Sequence, residues 1–89
     1  MSKQRFEYKV VYVDMRGRAS SEGEETSIQD GERMTAFGRR VLNDLGVKGW
    51  ELVDIHMQPM GTAFYVFKRP LAEGESPEPA KPIKGEVKV

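Results

Sequence analysis

Eighty-nine residues without a cysteine make at most one small domain, which neither disulfides nor thiolate metal sites can brace. Fourteen basic and fourteen acidic side chains cancel, so no global field draws nucleic acid or an anionic membrane. No apolar run approaches the roughly 20 residues of a membrane span, and "MSKQRFEYK" lacks the apolar stretch of a signal peptide, so a soluble protein of bacterial-type cytoplasm is expected.

The charge is unevenly spread. Residues 19–32 carry five acidic and no basic side chains, while 1–18 and 33–49 are each net +3. Nearly all large apolar side chains fall within 5–69, which sets a small domain at 1–69 and a Pro/Glu-rich flexible tail at 70–89. A core of roughly 60 residues lies near the lower limit for stability by burial alone, so self-association is an expected source of help.

"RFEYKVVYVDM", residues 5–15, is rich in aromatic and β-branched side chains and reads as a strand. Phe6, Tyr8, Val10 and Tyr12 share one face, and Glu7, Lys9, Val11 and Val13 the other. Residues 16–32, rich in Gly, Ser and Glu with Ile28 as the one large apolar side chain, read as a long acidic loop. Ser27 and Asp30 are candidate caps for the helix that follows. Met34, Phe37, Val41 and Leu45, with Leu42 beside them, form one apolar stripe at helical spacing. Gly38 on that stripe would permit close approach to a sheet, and Gly46 would end the helix in the left-handed conformation.

Gly49 then turns the chain into Trp50 and the strand "WELVDIHMQ". Alternation puts Leu52, Asp54 and His56 on the Trp50 side and Val53, Ile55 and Met57 opposite. "PMGTA", 59–63, is a turn, and "AFYVFKR", 63–69, a third strand with Phe64 and Val66 on one face and Tyr65 and Phe67 on the other. The expected fold is α+β, a three-stranded, mainly antiparallel sheet in β-α-β-β order with one helix on one face. Gly46, Gly49 and Trp50 form the expected structural anchor where helix end meets sheet.

"FEYKVV", "LNDLGVKGWELVDI" and "YVFKR" together resemble the small bacterial domain of unknown function family 4177, over residues 6–15 and about 41–69. The "LN-x-LG-x-x-GWELV" run is the more specific part. The resemblance implies a small α+β domain and no activity. The acidic loop at 16–32 and the tail depart from the family pattern.

Chemistry is sparse. The lone histidine, His56, has Asp54 two residues away, but no Ser or Cys motif completes a nucleophilic set. Neither a metal site nor a cofactor is expected, and no glycine pattern cradles a phosphate. No enzymatic activity is expected. A single helix leaves one sheet face open, so Val11, Val13, Val53, Ile55, Met57, Phe64 and Val66 are the candidate interface of a homodimer. Ile83, Val87 and Val89 in "PIKGEVKV" are candidate tail-docking positions that could add to a sheet edge, and the tail or acidic loop could contact another protein. Single-stranded nucleic acid stacked on Tyr8, Tyr12, Tyr65 and Phe67 is the alternative partner, disfavoured by the neutral charge.

Overall fold

The strand at the front of the chain, β1 (Arg5–Asp14), is the middle of a five-stranded sheet. The structure, a computed structural model, describes residues 3–79, so Ile83, Val87 and Val89 lie outside the described residues. After β1 come β2 (Arg18–Ser21), β3 (Glu24–Ser27), helix α1 (Met34–Gly46), β4 (Glu51–Gln58), a single 3-10 turn (Pro59–Gly61) and β5 (Thr62–Leu71). All neighbouring strands are antiparallel, in the order β3-β2-β1-β5-β4. The class is α+β with one helix, as expected, but the sheet has five strands rather than three.

The two additional strands come from the segment read as an acidic loop. Asp14 pairs with Arg18 across a three-residue connection, and Gly17 takes φ 91° there. The Asp14 carboxylate accepts the backbone N–H of Arg16 (2.9 Å) and Arg18 (3.1 Å), which closes the turn. Gly17 is obligatory for two reasons. Its φ is left-handed, and a Cβ would lie 2.5 Å from Cγ2 of Ile28, which folds over it. Glu22 and Gly23 then join β2 to β3 with φ of 48° and 87°, the pattern of the primed two-residue hairpin. "RASS" and "EETS" have little strand propensity, but pairing with β1 and burial of Ala19 override it.

The core lies between α1 and the centre of the sheet. Phe37 and Val41 of the helix meet Val11, Ala19, Phe67 and Trp50, with Val13, Ile28, Leu42, Leu45 and Tyr65 packed around them. The expected Ser27–Asp30 cap does not form. The helix starts at Met34 with Arg33 as an N-cap that makes no side-chain bond. Glu32 organises the approach instead: its carboxylate accepts the Gln29 N–H (3.0 Å) and two bonds from Arg40 (both 2.9 Å). Arg40 also donates to Thr26 Oγ1 and to the Ser27 carbonyl, tying the helix to β3.

Two glycines have roles other than those expected. A Cβ at Gly38 would meet nothing within 4 Å, so no close approach to the sheet depends on it. Gly46 is the last helical residue, and the chain takes positive φ only at Gly49 (93°). A Cβ at Gly49 would come 3.2 Å from Cδ of Arg69. That contact explains the glycine before Trp50. The Arg69 guanidinium lies 4.2 Å over the indole, donates to Glu7 Oε2 (2.7 and 3.1 Å) and bonds the Lys48 carbonyl (3.1 Å). Trp50 is buried and its N–H donates to the Leu45 carbonyl, so the helix end and the strand start are joined through one side chain and one backbone bond. Beyond β5 the chain turns back: Arg5 donates to the Glu75 carbonyl (2.7 Å) and the Glu78 N–H donates to Glu7 (3.3 Å).

Gly38 and Gly17 should respond to alanine with opposite signs. Gly38→Ala should stabilise by about 0.5–1 kcal/mol and raise the melting temperature by several degrees, whereas Gly17→Ala should cost about 2 kcal/mol or more in thermal and urea unfolding. Acid should act through the Glu32 clamp. Hydrogen bonds from Arg40, then from the Gln29 N–H, hold the Glu32 carboxyl down from 4.5 to about 2 against the opposing effect of desolvation. Folded Glu32 therefore binds its proton less readily than in the unfolded chain. Its contribution is complete above 4.5 and is lost as pH falls through about 2. Glu32→Gln should melt earlier than the wild type at pH 6, and the gap should close toward pH 2.

Candidate functional site

Register sorts every strand residue onto the helix-covered face or the open one. Across β1 and β5, Val11 is opposite Tyr65, Val13 opposite Ala63 and Glu7 opposite Arg69, all on the helix side. Phe6, Tyr8, Val10 and Tyr12 therefore share the open side with Phe64, Val66 and Lys68. Tyr12 is directly opposite Phe64, with ring centroids 5.3 Å apart and planes tilted by 60°. The Lys68 ammonium sits 4.6 Å over the Phe6 ring. Tyr8 is 63 % exposed and Val10 49 %. This aromatic strip is bordered by Arg18 and Ser20 of β2 and by Asp54 and His56 of β4.

β4 is the second uncovered surface. It lies at one edge of the sheet, and all eight of its residues are exposed. Its pattern shifts at Val53, where Leu52 pairs with Phe67 and Asp54 with Val66, leaving an extra residue between them. Leu52 begins on the Trp50 side as expected. The bulge then reverses the alternation, so Ile55 and Met57 follow Leu52 on the helix side while Asp54 and His56 turn to the open side. None of these apolar residues enters the core cluster. On the open side His56 Nε2 lies 3.0 Å from Asp54 Oδ2, with both side chains well exposed. The other Asp54 oxygen accepts the Ile55 backbone N–H at 2.8 Å. A backbone donor taken up by a side chain rather than by β5 marks the free side of the strand.

The seven candidate interface residues thus fall in three places. Val11 is 4 % exposed in the core and Val13 packs against it, so neither lies on an open surface. Phe64 and Val66 belong to the open face, and Val53, Ile55 and Met57 belong to the β4 edge. The aromatic set needs a similar correction. Tyr65 and Phe67 lie under the helix, and Phe6 and Phe64 take their places beside Tyr8 and Tyr12. Val11 and Phe64 lie on opposite faces, which alternation within each strand leaves open and the β1–β5 register decides. The bulge left a trace in the sequence, the break in alternation at Val53-Asp54.

A groove of about 180 Å³ between α1 and the β2–β3 hairpin is lined by Val41, Asp44, Lys48, Glu24 and Thr26. It is smaller than the roughly 300–1,000 Å³ of ordinary small-molecule sites. Among the described residues no group of three or more His, Asp and Glu is gathered as for a metal ion, and no helix is long and apolar enough to cross a membrane.

Comparison with curated proteins finds no match, nor does comparison with solved structures. The family model described as Domain of unknown function (DUF4177) matches residues 6–70, from the second residue of β1 to the last but one of β5. The matched region takes in both uncovered surfaces as well as the Trp50 anchor, and the chain belongs to the DUF4177 family.

Proposed function

We propose that this protein is a non-enzymatic interaction module of the bacterial cytoplasm that self-associates through its sheet. The observation that carries the reading is β4, an eight-residue edge strand exposed along its whole length, with Leu52, Val53, Ile55 and Met57 uncovered. Unpaired edges of this length bearing apolar side chains pair with other chains unless something blocks them. The open face adds Tyr8, Val10, Tyr12 and Phe64 as exposed apolar surface, more than a lone small domain ordinarily leaves in water. The acidic β2–β3 hairpin and the chain beyond β5 are further contact points for a protein partner.

The open face supports a second reading, a single-stranded nucleic-acid module. Phe6, Tyr8, Tyr12 and Phe64 share the open face with Lys68 among them and Arg18 at the border, and base stacking on aromatic sheet faces tolerates any sequence.

Sedimentation equilibrium from low micromolar to several hundred micromolar concentration distinguishes the two. Reversible growth in mass toward a dimer is expected, and a monomer throughout that range would overturn self-association. For the second reading, Tyr8→Ala or Tyr12→Ala should weaken binding of a single-stranded oligonucleotide roughly 5- to 150-fold per lost stack, with binding that falls steeply as salt rises. Equal, salt-insensitive retention of the wild type and both variants would dismiss it.

A further inference from the structure

We infer that β4 pairs antiparallel with β4 of a second copy, on a two-fold axis passing between the two Ile55 residues, and that Asp54 and His56 set this register. The inference rests on the self-association reading above and names its geometry.

Pleating restricts the choice. In an antiparallel pair, residues directly opposite each other share a face, so a symmetric β4–β4 ladder must be centred on a residue and not between two. Centring on Asp54 would set its carboxylate against the same group of the partner. Centring on His56 would oppose the two imidazoles and leave Asp54 facing Gln58. Centring on Met57 would set Ile55 against Pro59, which has no N–H to give. Val53 sits in the bulge, where pairing is irregular.

Centring on Ile55 has none of these faults. The Ile55 N–H already points to the free side of the strand, so each Ile55 can donate to the carbonyl of its counterpart. On the helix side the two Ile55 side chains meet, with the two Met57 side chains flanking them. On the open side Asp54 faces the partner subunit's His56, and the pairing occurs twice by symmetry. The Asp54–His56 contact within one strand, at 3.0 Å, shows that the two side chains are already within reach and oriented on one face.

Asp54 then has two alternative tasks. In the single chain its carboxylate takes up the Ile55 N–H, blunting the edge. In the paired state that N–H goes to the partner's backbone, and the carboxylate is released to the partner's imidazole. The edge is covered by a partner of matching pattern and stays guarded against strands that offer no hydrogen-bond donor opposite Asp54. The result is a continuous ten-stranded sheet with both helices on the same side.

The test is a charge exchange in the full chain, read by sedimentation equilibrium with far-UV circular dichroism confirming the fold. His56→Asp sets like charges opposite each other twice and should weaken the dimer about tenfold. The double variant Asp54→His with His56→Asp restores the Asp–His pairing with the two positions exchanged and should return the dissociation constant to within about threefold of the wild type. Ile55→Pro, which removes an outward N–H that β5 does not use, should leave a monomer. Hydrogen exchange supplies an independent readout, with protection of the Ile55 amide growing with protein concentration. A dimer indifferent to all three substitutions would overturn this register while leaving self-association standing. A monomer at every concentration would overturn both. An Ile55 amide protected equally in dilute monomer would show the edge already occupied within the chain, which also overturns the pairing.

Discussion

One helix is too small for this sheet. Thirteen residues of α-helix are about 20 Å long and about 10 Å across. Five strands of four to ten residues, spaced about 4.8 Å apart, present a face roughly three times that footprint. Phe37 and Val41 therefore shield the middle of the sheet, over Val11, Ala19 and Phe67, with Trp50, Val13 and Tyr65 at the rim of the same cluster. What lies beyond that footprint must be managed by other means, and at two margins the means is an arginine–glutamate network.

At the margin below the helix C-terminus the means is a polar and aromatic knot. Glu7 projects on the covered side, only 7 % exposed, where an unpaired carboxylate would be costly. Arg69, directly across the ladder, meets it with two bonds, stacks on Trp50 and holds the Lys48 carbonyl. The hydrogen bonds from Arg69 and the Glu78 N–H outweigh desolvation and hold the Glu7 carboxyl below its ordinary value. The tryptophan after Gly49 is thus a lid for a buried ion pair as well as a hydrophobic plug. On the hairpin side Arg40 and Glu32 do corresponding work, with the helix reaching across to β3 through hydrogen bonds where apolar side chains are few. Among the described residues no such device covers the strand at the β4 margin.

How much of this was legible depended on the range of the interaction. The helix stripe of Met34, Phe37, Val41 and Leu45 and the period-two pattern of β1 are local, and both elements formed where their spacing put them. The hairpin of β2 and β3 was missed because its strands hold a single core residue, Ala19, and owe their form to pairing with β1. Its turns were nonetheless written in the sequence, as Asp14 with Gly17 three residues on and as Glu22-Gly23 between two short runs. The sorting of Val11 against Tyr65 and of Phe64 against Tyr12 was beyond any local signal. Alternation gives two faces per strand but not which face of one strand continues which face of the next. The Val53 bulge compounded this by exchanging the faces of Ile55 and His56 within a single strand.

That exchange has a consequence for what β4 can do. Were the same residues paired regularly, Asp54 and His56 would follow Leu52 to the helix side, and Ile55 and Met57 would join the aromatic strip opposite. The strand would then add its apolar side chains to the open face and direct its charges toward the margin of the core. With the bulge, the apolar residues line the uncovered shelf beside the helix and the Asp54–His56 pair sits on the open side, flanking Phe64 and Val66. Bulges at sheet edges commonly terminate pairing, but this one lies near the start of β4 and leaves five regular residues, Asp54 to Gln58, beyond it. A ladder centred on Ile55 uses that regular stretch, and it meets the bulge only at its ends. The same insertion that complicates the alternation is therefore what places the apolar residues beside the helix and the Asp54–His56 pair on the open side.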